Sequence, residues 1–154
     1  MGTHYKGSAD EKRALNAFIC LSRSAETLSR VAEAHLAKAG MGMRQFAVLE
    51  ALYHLGPLQQ SEIAQKMLCT PGHITGLLDK LERAGLLRRR AKPGDRRVKA
   101  VELTERGRAL VRKLLPGHVR AITSAASALS AAELSTLRLL CRKLGLALSL
   151  ARAK

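Results

Sequence analysis

Apolar residues recur at helical spacing over most of the chain. From Ser8 to Lys38, Leu15, Phe18, Ile19, Leu21, Leu28, Val31 and Leu36 keep a loose 3.6-residue period with no proline, which predicts one long helix. A helix of about 30 residues spans about 45 Å, too long for one small core, so it is expected to pack against something further. Ala39-Gly40-Met41-Gly42 then offers glycines suited to a C-terminal cap. Three short helices are predicted next: Arg44–Leu55, stopped by Gly56-Pro57; Ser61–Leu68; and a third from Pro71 to about Ala84. Thr70 is a suitable N-cap for the third, and proline at its first position loses no hydrogen bond.

After Gly85 the period changes. Leu86–Arg90 and Val98–Leu103 read as two strands, joined by a connector over Ala91–Arg97 with the turn chemistry of Pro93-Gly94-Asp95. Thr104 is expected to cap a helix over Glu105–Ala128, kinked at Pro116-Gly117, and Ser130 to cap a last helix over Ala131–Leu150. That last helix carries Leu134, Leu137, Leu140, Cys141, Leu144 and Leu148 along one stripe. Leu139, Leu146 and Leu150 make it apolar on a further side, as in a helix buried within an oligomer. The fold class is therefore mainly α with a small β-hairpin wing: a winged helix-turn-helix flanked by long N- and C-terminal helices.

Within the Pro71–Ala84 helix, Ile74, Leu77, Leu78 and Leu81 fall at i, i+3, i+4 and i+7 and face a core. Gly72, Gly76, Asp79 and Arg83 lie opposite, flanked by His73, Thr75 and Lys80. Small and polar residues with two glycines suit a helix lying against base edges in a major groove. An ordinary solvated face would look the same, so the helix alone leaves both readings open.

Charge shifts the balance. The 154 residues hold 27 Lys+Arg against 12 Asp+Glu, a net +15, and 13 of those cations but only 4 acids lie between Lys80 and Lys113. Lys92, Arg96 and Arg97 would place cations at the hairpin tip, where a minor groove runs, and Arg88, Arg89 and Arg90 could neutralise flanking phosphates. Aromatic residues make up 3% of the chain and none falls in this stretch, which disfavours base-stacking on single strands or RNA loops. The hydrophobic share of 47% excludes a wholly disordered basic protein. The longest stretches without Asp, Glu, Lys or Arg are 12 residues, short of the roughly 20 a membrane span needs. The N-terminal sequence lacks the apolar run of a secretory signal and Lys6 departs from the myristoylation pattern, so the expected compartment is the cytoplasm and no membrane partner is expected. No phosphate-binding glycine loop, Ser/His/Asp order or paired carboxylates mark an enzyme, and no cofactor is expected. Cys20, Cys69 and Cys141 are far apart, and the histidines are scattered without ligand spacing, so no metal site or disulfide framework is expected.

At the wing a family resemblance becomes plain. Asp95-Arg96-Arg97 followed by Leu103-Thr104-Glu105-Arg106-Gly107 is similar to the D-x-R…L-T-x-x-G pattern of the MarR family of winged-helix transcriptional regulators. Gln45–Leu49, Ser61–Ala64 and Leu81–Leu86 stand around it in the family's order, and the resemblance runs from about Ser8 to Leu150. It implies one MarR-like domain over 1–154, with a DNA-binding lobe over 43–103 and dimerisation helices over 8–38 and 105–150. It also implies a homodimer bound to double-stranded DNA, with a recognition helix at Thr70–Ala84 and a wing arginine at Arg97. Asp95 would shape the wing and brace that arginine, and Arg96 occupies the variable place between them. Together with the charge, this assigns DNA contacts to Thr70, Gly72, His73, Thr75, Gly76, Lys80, Arg88, Arg90, Lys92, Arg96 and Arg97. Many relatives open the first helix of the motif with Thr or Ser, whereas Gln59 stands here and leaves Glu62 without a capping-box partner.

The resemblance also implies a switch. Family members are commonly released from DNA by small phenolic or aromatic ligands or by thiol oxidation, and more rarely by metal. The segment QFAVLEALYHLGP resembles the phenol- and quinone-responsive branch. A ligand cleft between dimer helices and DNA-binding lobe would draw on Phe18, His35, Met43, Phe46 and Tyr53. Cys20 is the alternative, a thiol sensor on the first helix, although a cysteine on an apolar helix face is most often a small buried hydrophobe. Cys69 and Cys141 read as structural. The function expected is a sequence-specific repressor on a pseudo-palindromic operator, released by a small ligand. A nonspecific architectural DNA-binding protein, a protein-interaction winged helix and a peripheral membrane protein are the remaining alternatives.

Overall fold

The computed structural model describes the backbone of residues 2–92 and 95–151, and side chains there except at 71, 91–99 and 148–151. Six helices and three strands follow in the order α1 (Ala9–Ala37), α2 (Met43–Leu55), β1 (Leu58–Gln59), α3 (Gln60–Lys66), α4 (Pro71–Arg83), β2 (Leu87–Lys92), β3 (Asp95–Leu103), α5 (Glu105–Ala125) and α6 (Ala131–Ala151).

Local sequence chemistry sets most of the boundaries. Ser8 accepts from Glu11 N–H at 3.2 Å while Glu11 accepts from Ser8 N–H at 2.7 Å, a reciprocal box that starts α1. Ser130 and Glu133 repeat the arrangement at α6. Gly40 ends the first helical region at φ +65°, a conformation glycine adopts without strain. Thr104 Oγ1 accepts from Gly107 N–H at 3.1 Å to cap α5, and donates to Gly85 O at 2.7 Å. One glycine is compelled by packing: a Cβ on Gly107 would sit 1.9 Å from the Leu86 carbonyl oxygen.

Several expectations are corrected. The wing strands extend further than Leu86–Arg90 and Val98–Leu103, because pairing continues through Ala91↔Lys99 to Lys92↔Asp95, with an irregularity at Ala91/Lys92. Polar, charged residues carry this extension, so no apolar alternation announces it. A third strand, β1, pairs Leu58 with Val101 and Gln59 with Ala100, giving the antiparallel order β1-β3-β2. α5 ends at Ala125 rather than Ala128, and the helix runs through Pro116. Thr70 has the backbone of an N-cap but its side chain makes no cap bond. Glu62 does find a capping partner, accepting the Gln59 N–H at 2.6 Å.

The core lies where α2, α3, α4, the sheet and the first half of α5 meet the end of α1. Phe46, Leu49, Ile63, Ile74, Leu78, Leu81, Val101 and Val111 have at most 1% of their surface exposed. Each such side chain contributes about 1.5–3 kcal/mol by leaving water. Inward residues of α4 match its predicted stripe, except that Leu77 is only half-buried. The outer helices behave differently. Of α1, only Ala32 and Leu36 are buried, and every described side chain of α6 is exposed, including Leu134, Leu137, Leu140 and Leu144. Among the described residues no helix is long and apolar enough to cross a membrane.

Candidate nucleic-acid interface

The outer face of α4 carries the expected residues in one exposed strip. Thr70, Gly72, His73, Thr75, Gly76 and Lys80 are all exposed. Because Thr70 does not cap, the N–H groups of Gly72 and His73 have no side-chain acceptor there, and the positive end of the helix dipole faces outward. Gly72 and Gly76 have nothing within 4 Å of where a Cβ would stand. Inside a helix, glycine costs about 0.8–1.0 kcal/mol relative to alanine, and nothing within the chain requires it at either position.

Thr75 is oriented by Gln60, a residue that no pattern in the sequence marks. Gln60 Nε2 donates to Thr75 Oγ1 at 2.7 Å, tying the first turn of α3 to the middle of α4. Gln60, Thr75, Asp79, Arg89 and Val101 line a shallow cavity of about 370 Å³ between α3, α4 and the sheet. No periodicity marks Gln60; only the approach of α3 to α4 reveals it.

The three wing-base arginines divide into two kinds. Strand alternation sends Arg88 and Arg90 outward, and both approach Glu102, at 2.6 Å and 3.5 Å. Arg88 and Glu102 sit directly opposite in the ladder. Arg89 points the other way, onto α4, where it binds Asp79 Oδ1 at 2.6 Å and also pairs with Glu82. Its backbone N–H donates to Glu82 Oε1 at 3.0 Å. Burial opposes its charge, but the hydrogen bonds and charges of Asp79 and Glu82 outweigh this and raise its pKa above the usual arginine value. Arg89 is therefore a brace between wing and helix, correcting the expectation that all three arginines meet phosphates. Asp79 belongs to the brace as well. Lys92, Asp95, Arg96 and Arg97 lie on the strands flanking the wing tip, where only the backbone is described, and Pro93 and Gly94 fall outside the described residues.

The five residues considered for a ligand cleft are dispersed. Phe46 has no exposed surface and its ring meets that of His118 at 4.9 Å. His35 is half-buried, with Nε2 3.3 Å from the Leu114 carbonyl oxygen, and its ring occupies the space a Cβ on Gly117 would need. Tyr53 is half-buried beneath the Arg108 guanidinium, 5.9 Å from the ring centre, and Met43 packs at the core margin. Phe18 is 66% exposed on α1. At 1.5 Å per residue it lies about 25 Å along the helix from His35, so the two share a cleft only if one comes from another copy of the chain. Cys20 is exposed in the single chain rather than buried. Cys69 is half-buried at the α3–α4 turn, with its Sγ 3.8 Å from Arg44 Nη1, and Cys141 is exposed on α6. Among the described residues no group of His, Cys, Asp or Glu could hold a metal ion.

A helix-turn-helix with an exposed, glycine-containing second helix beside a basic two-stranded wing defines a winged-helix protein that binds duplex DNA. Comparison places it more closely. The MarR family pattern matches residues 41–99. The chain is 37% identical to the HTH-type transcriptional regulator MhqR of Bacillus subtilis, over 88% of this chain and 93% of that protein. It superposes with a TM-score of 0.80 on a MarR family transcriptional regulator from Streptomyces coelicolor solved in complex with DNA, at 23% identity, covering 92% and 90% of the two chains. CouR from Rhodococcus jostii, solved with p-coumaroyl-CoA, superposes with a TM-score of 0.77 at 26% identity, covering 84% and 91%. The chain belongs to the MarR family, and is a sequence-specific DNA-binding transcriptional regulator of that type.

Proposed function

We propose that the protein is a homodimeric repressor that occupies a pseudo-palindromic duplex site and is released by a small aromatic or phenolic ligand. In this reading the segment QFAVLEALYHLGP aligns it with the phenol- and quinone-responsive branch. The observation that carries the DNA reading is the pair Gly72 and Gly76, two helix-weakening residues with open space around them. A surface approaching closely from outside accounts for them, and a major-groove wall is such a surface. Thr70, His73, Thr75 and Lys80 then flank the contact, Arg88 and Arg90 meet phosphates, and Lys92, Arg96 and Arg97 serve the wing tip that Asp95 shapes.

Dimerisation rests on the uncovered apolar helices. Phe18, Leu21, Leu134, Leu137, Leu140 and Leu144 are between 38% and 66% exposed in the single chain, a continuous demand for a partner surface. Residues 8–38 and 105–150 form the dimer part of the single domain, and 43–103 the DNA-binding lobe. A two-fold dimer would present two α4 helices about 34–36 Å apart, one turn of duplex, and would exclude other proteins from that site. The ligand reading draws support from CouR, whose bound p-coumaroyl-CoA carries a phenolic ring.

The test is selection of bound duplexes from a random pool, repeated with phenols, quinones and peroxide. A two-fold consensus is the expected product. Gly76→Ala should raise thermal stability while weakening binding to that consensus, and Thr75→Ala and Arg97→Ala should alter site preference. Equal binding of all duplexes by the wild type would reject sequence-specific reading in favour of an architectural role.

A further inference from the structure

Thr75 carries two different groups that a base pair can meet, and its surroundings decide which one is offered. Threonine bears a hydroxyl and a methyl on the same carbon. Within a helix it divides between two χ1 rotamers, one of which places the methyl where the other places the hydroxyl. The hydroxyl can bond to base edges of several kinds, whereas the methyl packs on the C5-methyl of thymine. In this chain the choice is made from α3. Gln60 Nε2 donates to Thr75 Oγ1 at 2.7 Å, and one such bond favours a single rotamer by roughly fivefold. Gln60 is half-buried at the first position of α3. The residue before it is fixed twice, by pairing of Gln59 with Ala100 and by the bond from the Gln59 N–H to Glu62 at 2.6 Å. The amide therefore reaches α4 from a firm base.

The setting of Thr75 suits a short apolar contact. It is exposed on the outer strip of α4. Gly76 follows it and Gly72 precedes it by three positions, each with open space where a Cβ would stand. A threonine methyl lies one bond beyond Cβ, so it meets a base only where the helix backbone comes close to the groove floor. The two glycines permit that approach. One turn further along α4, Arg89 holds Asp79 at 2.6 Å. Thr75 and Asp79 line one cleft with Gln60 and Arg89, so ties from α3 and β2 fix two successive turns of the helix.

We propose that Gln60 determines base preference through Thr75: by holding the hydroxyl oxygen toward α3 it presents the methyl to DNA, and Thr75 then reads one thymine methyl in each half-site. Gln60 is a positioning residue in this arrangement and need not touch DNA itself. The inference rests on the reading above, in which the outer strip of α4 lies against base edges. Without the Gln60 amide the two rotamers mix. The hydroxyl then meets base edges of several kinds, and the preference for thymine falls.

The experiment replaces thymine by uracil, which removes only the C5-methyl, at each thymine of the duplex that the wild type selects. Affinities are measured for the intact protein and for variants whose melting curves show them folded. At one position per half-site the wild type should lose about fourfold in affinity, the effect of returning one methyl group to water. Thr75→Ser keeps the hydroxyl without the methyl, so it should bind both duplexes equally at that position. Gln60→Met keeps the chain length without the amide and should reduce the thymine preference to below about twofold. Valine has methyls in both places and holds one rotamer in a helix, so adding Thr75→Val to Gln60→Met should restore the preference. A Gln60 that only supports the fold would weaken all duplexes alike and gain nothing from valine. If Thr75→Ser removes sensitivity at no thymine, the methyl contact is overturned. An unchanged thymine preference in Gln60→Met overturns the role of Gln60, and a preference that valine does not restore overturns its action through Thr75. Each of these results leaves the DNA-binding reading standing, whereas a wild type that selects no consensus duplex rejects that reading itself.

Discussion

Arg89→Met separates a brace from a phosphate contact. The native Arg89 side chain is 20% exposed and holds Asp79 and Glu82, whose side chains are 47% and 37% exposed. A hydrogen bond to a charged group contributes about 1.5–3 kcal/mol when well shielded. Here the released carboxylates regain much of their hydration, which reduces each interaction to roughly 1 kcal/mol. The expected loss is therefore about 2 kcal/mol, or roughly 4–8 °C in melting temperature for a chain of this size. Methionine keeps the stem's apolar contacts, and the backbone bond to Glu82 does not depend on the side chain. A double-mutant cycle with Asp79→Asn should return a coupling near 1 kcal/mol.

The discriminating assay is DNA affinity against salt. Each phosphate neutralised adds about 0.9 to the slope of log affinity on log salt. Arg89→Met should leave that slope unchanged, whatever it does to affinity, whereas Arg88→Gln should lower it by about one with a stability change below about 1 kcal/mol. An Arg89→Met protein that keeps its stability within 0.5 kcal/mol and loses one phosphate's worth of slope would refute the brace.

Gly107→Ala should cost about 3 kcal/mol or more, read by urea denaturation, because its Cβ would meet the Leu86 carbonyl rather than a flexible side chain. His118 predicts a pH dependence. Its ring is buried with Nδ1 unpartnered, and desolvation lowers its pKa below the ordinary value despite Glu50, with His35 acting in the same direction as burial. The unfolded chain therefore binds the proton more readily. His118's contribution is complete above the unfolded value near 6.5 and is lost as pH falls below it toward the folded pKa. His118→Phe should flatten the decline of the urea midpoint between about pH 6.5 and 5. Leu140→Glu places a charge on an apolar face of α6. Sedimentation should show loss of the dimer, and an unchanged dimer at micromolar concentration would remove α6 from the interface.

What the sequence made legible was whatever local periodicity or capping controls. The inward stripe of α4, the caps Ser130 and Thr104 and the apolar excess of α6 all follow from residues within a few positions of one another. Leu58–Gln59 was not legible, because a two-residue strand has no period and exists only where β3 supplies an edge. Nor was Gln60, since its bond to Thr75 depends on how α3 crosses α4. Arg89 is a more instructive case. Three arginines in a row look uniformly basic, yet Leu87 is a core residue and a strand repeats its face every second position. Arg89 must share the face of Leu87, so the alternation contained the distinction while net charge concealed it. His118 is similar, following Val111 and Leu114 at i+7 and i+4 on the buried face of α5.

The basic segment between Lys80 and Lys113 thus has no single purpose. Arg88, Arg89 and Arg90 are each met by a carboxylate from Glu102, Asp79 or Glu82. The charge of Arg89 is therefore neutralised within the lobe and sets the angle between wing and α4, while Arg88 and Arg90 share one carboxylate on β3 and keep a net positive charge at the surface. Lys80, Arg106 and Lys113 have no such partner among the described residues and converge on one apolar cleft. A net +15 still draws the chain to any polyanion. Choice of site needs contacts that differ between base pairs, and the near-neutral strip of Gly72, His73, Thr75 and Gly76 can make them only while the Arg89 brace holds α4 against the wing.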